Sequence, residues 1–96
     1  MAEKTEDIPE QLVITLRKPV TLGDITYTEL RLREPTVGEM IELGADEGWK
    51  ADAKAIALIS GVPEPAVCNI GVRDGKRAAE YLGRFFGAAP STGADA

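Results

Sequence analysis

Histidine is absent from the 96-residue sequence, and cysteine occurs once. Without histidine, the chain lacks the side chain that most often acts as a general base at neutral pH and as a metal ligand. A single cysteine cannot form an internal disulfide, which is typical of proteins from a reducing compartment. The composition therefore excludes a zinc finger, a Ser-His-Asp triad and a Cys-His catalytic pair.

Basic and aromatic residues are also scarce. Eleven Lys and Arg face sixteen Asp and Glu, for a net charge of −5, so nothing in the overall charge attracts nucleic acid or anionic lipid. The glycines do not have the spacing of a phosphate-binding loop. The acidic start does not resemble a signal peptide, and no apolar run approaches the ~20 residues of a membrane span. We expect a soluble cytoplasmic protein that is not an enzyme and uses no cofactor or metal.

The chain is long enough for one small hydrophobic core. Residues 1–11 carry four acids and a proline, which predicts a disordered acidic lead-in. Residues 87–96 are small and polar, which predicts a disordered tail. We therefore expect a single folded domain over residues 12–86.

Two alternating segments open this domain. From Leu12 to Lys18 apolar residues take every second position, and the same pattern returns from Ile25 to Arg33. Pro19 is expected to end the first strand, and Gly23 suits a tight turn between the two. The pattern predicts an antiparallel hairpin whose leucine-rich face must be covered by other elements.

The rest of the domain has helical patterns. Thr36 and Glu39 have the spacing of a capping box, which predicts a helix start with Val37, Met40 and Ile41 along its apolar stripe. A second helix is predicted from Ala51 to Ser60, a short turn around Val67, and a last helix from Arg73 or Asp74 to Phe86. The fold class predicted is α+β, an N-terminal hairpin packed on three or four short helices.

Two residues of these segments stand out. Cys68 follows Val67 in an apolar turn with no basic neighbour, which favours a small buried core residue over a reactive thiol. Trp49 lies in a polar stretch between two predicted helices, where it would either close the core or remain exposed as an anchor for a partner.

The second face of the hairpin permits a different interpretation. Arg17, Lys18, Arg31 and Arg33 could form a basic patch with Tyr27, as in a small nucleic-acid-binding regulator. However, Glu29 is interleaved on that face, and cross-strand ion pairs would explain the same pattern. We favour the ion pairs and expect no nucleic-acid partner.

Two motifs stand out between Ile14 and Met40, namely Ile14-Thr-Leu-Arg-Lys-Pro19 and Tyr27-Thr-Glu-Leu-Arg-Leu-Arg-Glu-Pro-Thr-Val-Gly-Glu39. With these motifs the segment is similar to the phage tail assembly chaperone family, particularly its Mu-like type. The later Ser60-Gly-Val-Pro63 and the helix ending in Phe85-Phe86 also resemble the family, so the likeness extends over about residues 12–86.

The resemblance implies a non-enzymatic assembly factor that binds the long helical tape measure protein and keeps it soluble for tube assembly. It further implies possible contacts with the tail tube protein and with a frameshift-extended longer form, in the host cytoplasm and outside the mature virion. A structural subunit of the particle is a third possibility.

The helical half is the expected binding region, and an exposed residue of the last helix would also allow a homo-oligomer. Core packing is the alternative for each of the expected contact residues, which are Trp49, Leu58, Leu82, Phe85 and Phe86.

Overall fold

The computed structural model describes residues 8–44 and 48–87. Two strands are followed by four helices, which confirms the predicted α+β class. The elements are β1 (Gln11–Leu22), β2 (Ile25–Arg33), α1 (Val37–Leu43), α2 (Trp49–Ser60), α3 (Glu64–Val67) and α4 (Val72–Gly87).

The strands form the predicted antiparallel hairpin, with Leu22 paired to Ile25 across a two-residue turn. Gly23 occupies the first turn position with φ of +62°. A positive φ at this position is the requirement of a type II′ hairpin turn, which glycine meets without steric cost. The local sequence was therefore sufficient to predict this turn.

Pro19 does not end β1, contrary to the sequence prediction. The strand continues to Leu22 because the pairing is interrupted between Thr15 and Val20, where the four residues 16–19 lie opposite Thr28 alone. A bulge of this kind can hold a proline, since the residues within it do not donate to the regular ladder.

A carboxylate of the last helix accepts a hydrogen bond from the backbone within the bulge. Asp74, in the first turn of α4, accepts a hydrogen bond from the backbone amide of Arg17 at 2.8 Å. Its second oxygen lies 3.8 Å from the Arg17 guanidinium. Asp74 is only 2% exposed. Its contact with Arg17 connects the middle of β1 to the start of α4.

The helices cover the leucine-rich face of the hairpin. Helix α2 packs against β2, while α3 and α4 pack against β1. Ile14, Leu30 and Leu32 of the strands are fully buried together with Ile56 and Leu82 of the helices. Burial of apolar surface in this single core provides the main stabilisation of the domain.

The folded part begins earlier than residue 12. Ile8 is buried in the core, and the carbonyl of Pro9 accepts a hydrogen bond from the hydroxyl of Tyr81. The amide of Glu34 donates to the carbonyl of Glu10 at 3.0 Å. Ile8, Pro9 and Glu10, which were predicted to lie in a disordered lead-in over residues 1–11, therefore contact the domain. Residues 1–7 and 88–96 of the predicted lead-in and tail lie outside the described residues.

The capping box at the start of α1 is present. The amide of Glu39 donates to the hydroxyl of Thr36 at 3.1 Å, and the amide of Thr36 donates to the Glu39 carboxylate at 2.8 Å. Both guanidinium NH groups of Arg33 also donate to that carboxylate, at 2.8 and 2.7 Å. The hydrogen bonds from Arg33, followed by that from Thr36, lower the pKa of Glu39 from 4.5 to about 2.

Because folding lowers the pKa of Glu39, its ionised form stabilises the native state. This contribution is complete above the unfolded pKa of 4.5 and is lost as the pH falls toward the folded value of about 2. We expect the stability advantage of the wild type over Glu39→Gln to shrink over this window in urea denaturation at stepped pH. Thr36→Ala is the control, with a loss of about 0.5–2 kcal/mol that depends little on pH. An advantage over Glu39→Gln that stays constant down to about pH 2 would contradict the assignment.

Candidate partner-binding surface

An open apolar groove of about 450 Å³ lies where the first halves of α2 and α4 meet α3. Its lining includes Ile56 and Val67, which belong to the hydrophobic core. Ala53, Ile70 and Val72 also line it. Apolar side chains next to the core are therefore open to solvent in this groove. Such grooves are typical of sites that bind apolar groups of a partner.

Trp49 forms one wall of this groove. It is the first residue of α2, directly after Gly48, whose φ is +88°. Its indole ring lies beside Gly75 of α4, where an added methyl group would be 3.7 Å from Trp49 Cζ3. The side chain nevertheless remains 52% exposed. Trp49 thus belongs to a helix rather than a loop, and half of its surface is open at the edge of the groove.

Two charged residues line the groove, one on each of two helices. Lys50 contributes from α2 and Glu64 from α3, and the remaining lining is apolar except for the thiol of Cys68. This arrangement suits an amphipathic segment that inserts apolar side chains and keeps its polar side chains at the rim.

The other expected contact residues have different environments. Leu82 and Phe85 are buried at 1% and 7% exposure, and Phe85 packs edge-to-face on Tyr81 with ring centroids 5.3 Å apart. Leu58 is partly buried against the core. The side chain of Phe86 lies outside the described part of the structure. Leu82 and Phe85 therefore do not present a contact surface in this conformation.

Helix α1 carries an apolar surface that sequence reasoning assigned to the interior. Val37 and Ile41 are 78% and 75% exposed, whereas Leu43 is the buried residue of this helix. The expectation that Val37 and Ile41 form the packing stripe is wrong, because the short helix turns that stripe toward solvent. Their spacing of four residues would have revealed a common face, but not which way it points.

A family model described as phage tail assembly chaperone proteins, E, or 41 or 14, matches residues 13–87 of the sequence. The chain belongs to the phage tail assembly chaperone family. No curated protein and no solved structure matches it. The match includes β1 from Val13 onward, β2 and all four helices, so the groove lies within the matched region.

The basic face of the chaperone hairpin is largely neutralised by ion pairs. Arg33 forms a bidentate pair with Glu39, and Arg31 pairs with Glu29. Arg17 lies 3.8 Å from Asp74. None of these pairs joins the two strands, so the cross-strand pairs expected from the sequence are not found among the described residues. The partners of Arg17 and Arg33 come from helices, and the partner of Arg31 lies on its own strand.

Cys68 is exposed, contrary to the sequence prediction of a buried core residue. It follows the four-residue helix α3, and the turn there places Ala66 and Val67 inside while Cys68 lines the groove. An apolar neighbourhood in sequence therefore did not determine which residues of this turn are buried. No helix among residues 8–44 and 48–87 is both long and apolar enough to cross a bilayer.

Proposed function

We propose that this chaperone binds the tape measure protein through the Trp49 groove and keeps it soluble until the tail tube assembles. Its role is non-enzymatic. The open groove, with a half-exposed tryptophan at its edge, is the observation that supports this proposal most directly. Tryptophan is a frequent anchor at protein interfaces because it buries a large rigid surface.

A long helical client with an apolar stripe would aggregate unless the stripe is covered. The groove can receive apolar side chains from successive turns of such a helix, which rise about 5.4 Å per turn. Lys50 and Glu64 at its border can contact polar groups that flank the stripe. The chaperone surface therefore has the apolar character and the charged border that this client requires.

The binding must also be reversible, because the tube has to replace the chaperone. A groove of this size gives a weak single contact, since most of the buried-area gain is offset by the entropy cost of association. Several copies along one client would retain it together by avidity, and each could still dissociate individually.

We further propose where this chaperone acts and which other partners it contacts. The chaperone acts in the host cytoplasm and is absent from the mature virion, and it can contact the tail tube protein or a frameshift-extended form of itself. Mass spectrometry of purified virions tests the first part. Detection of this chain at the copy number of a tail subunit would favour a structural role instead.

Replacing Trp49 by alanine is expected to reduce the soluble yield of the co-expressed tape measure protein several-fold, because an exposed interface tryptophan is a common binding hot spot. Ile25→Ala is the matched control, since Ile25 is 56% exposed on the hairpin and lies away from the groove. The control should leave the yield unchanged. Circular dichroism establishes that both variants are folded.

The thiol of Cys68 provides a second measurement, because it is the only cysteine in the sequence and it lines the groove. Client binding is expected to slow its reaction with a maleimide, and Trp49→Ala should weaken this protection. Equal tape measure solubility with wild type and Trp49→Ala, together with an unprotected thiol, would refute the proposal.

A further inference from the structure

Two lysines lie beside the Trp49 groove, one on each of its two longer helices. Lys50 lines the groove from α2. Lys76 lies in α4 one turn after Val72, which also lines the groove. Residues four apart share a face of a helix, so the side chain of Lys76 leaves α4 next to the groove.

These two lysines are available to a partner. Both are exposed. Within residues 8–44 and 48–87 neither forms an ion pair, whereas the three arginines of the hairpin, Arg17, Arg31 and Arg33, each lie close to a carboxylate. Contact between the lysines and carboxylates of a partner therefore breaks no ion pair within the chain.

The positive charge is local to the helical part of the chaperone. Residues 49–87 carry six Lys and Arg against four Asp and Glu, although the whole chain has a net charge of −5. One of these four acids, Asp74, is buried and bonded to the amide of Arg17. At physiological ionic strength charges are screened beyond about 8 Å, so a partner in the groove interacts with the nearby lysines more than with distant acids.

We infer that the segment bound in the groove is an amphipathic helix with carboxylates along the flank of its apolar stripe that contacts α2 and α4. This inference rests on the proposed function of the groove and specifies the chemistry of the client segment. The flank that approaches α3 meets Glu64 and is therefore neutral or basic. The apolar lining favours such a protein segment over a nucleic-acid backbone.

The fluorescence of Trp49, the only tryptophan of the chain, reports on occupation of the groove. Two synthetic helical peptides without tryptophan serve as probes, with the same leucine stripe and with either glutamate or lysine along one flank. At low salt we expect the glutamate peptide to bind at least about fivefold more tightly, because it places opposite rather than like charges at Lys50 and Lys76. The difference should diminish at high salt, which screens such pairs.

A single charge reversal locates the effect at the groove. Lys76→Glu should lower the preference for the glutamate peptide at least about twofold. Arg77→Glu is the matched control, because Arg77 is also exposed, forms no ion pair among the described residues and undergoes the same change of charge. Its side chain leaves α4 about 100° further from the groove, so this variant should keep the preference of the wild type.

Equal binding of the two peptides, or tighter binding of the lysine peptide, would overturn the inference while the groove remained a binding site. Co-expression with the tape measure protein applies the same test to the natural client. A loss of soluble client with both Trp49→Ala and Lys76→Glu supports the inference, whereas a loss with Trp49→Ala alone overturns it. An unchanged yield with Trp49→Ala would instead refute the proposed function of the groove, and the inference with it.

Discussion

Replacing Leu82 by alanine is expected to lower the free energy of unfolding by about 2–5 kcal/mol. Leu82 is 1% exposed and lies in the core cluster with Ile14, Leu30 and Ile56. Removing three carbons from such a site loses their burial and leaves a cavity that a tight core fills only in part. Because small domains are stable by roughly 5–15 kcal/mol, urea denaturation should detect the change easily.

This prediction also tests the functional assignment of the last helix. Leu82→Met, which conserves volume, should cost less than about 1.5 kcal/mol and serves as the matched control. If Leu82→Ala instead leaves stability unchanged and abolishes only tape measure solubility, Leu82 would be a contact residue. That outcome would contradict the burial of Leu82 in the core.

Replacing Asp74 by alanine is expected to lower the free energy of unfolding by about 1–3 kcal/mol, because the Arg17 amide would lose its acceptor in a partly buried position. Arg17 lies in the part of β1, between Thr15 and Val20, where the regular pairing with β2 is interrupted. The carboxylate also lies in the first turn of α4, where negative charge stabilises the helix by a few tenths of a kcal/mol or more.

Asp74→Asn separates these two contributions. Its amide oxygen can still accept from Arg17, so we expect a smaller loss than for alanine, confined mainly to the charge contribution. Hydrogen exchange gives a local readout, since the Arg17 amide should exchange faster in Asp74→Ala than in Asp74→Asn. An unchanged exchange rate and unchanged stability in Asp74→Ala would show that the hydrogen bond between Asp74 and the Arg17 amide does not stabilise the bulge.

Features that depend on neighbouring residues were predictable from sequence. The Gly23 turn and the Thr36–Glu39 capping box follow from backbone conformation and hydrogen bonding within a few residues, and the structure contains both. The alternation that buries Ile14 and Leu30 follows from the two-residue period of a strand. The α+β class rested on these patterns, whereas the family resemblance rested on the motifs between Ile14 and Met40, and both were confirmed.

Features that depend on distant contacts were not predictable. Pro19 remains inside β1 because the bulge there is held by Asp74, 57 residues away from Arg17. Ile8 belongs to the core and Tyr81 bonds to Pro9, although the acidic composition of residues 1–11 indicated disorder. Local patterns contain no information on which remote group will satisfy a backbone amide or cover an apolar side chain.

The candidate binding surface also depends partly on local sequence and partly on distant contacts. The sequence alone determined a small acidic domain without histidine chemistry, an N-terminal hairpin and a set of apolar residues as candidates for partner contact. Tertiary structure decided that Leu82 and Phe85 are buried while Trp49 and Cys68 line an open groove. The reason is geometric: periodicity groups apolar residues on common faces, but only the packing of helices on the hairpin determines which of those faces is covered.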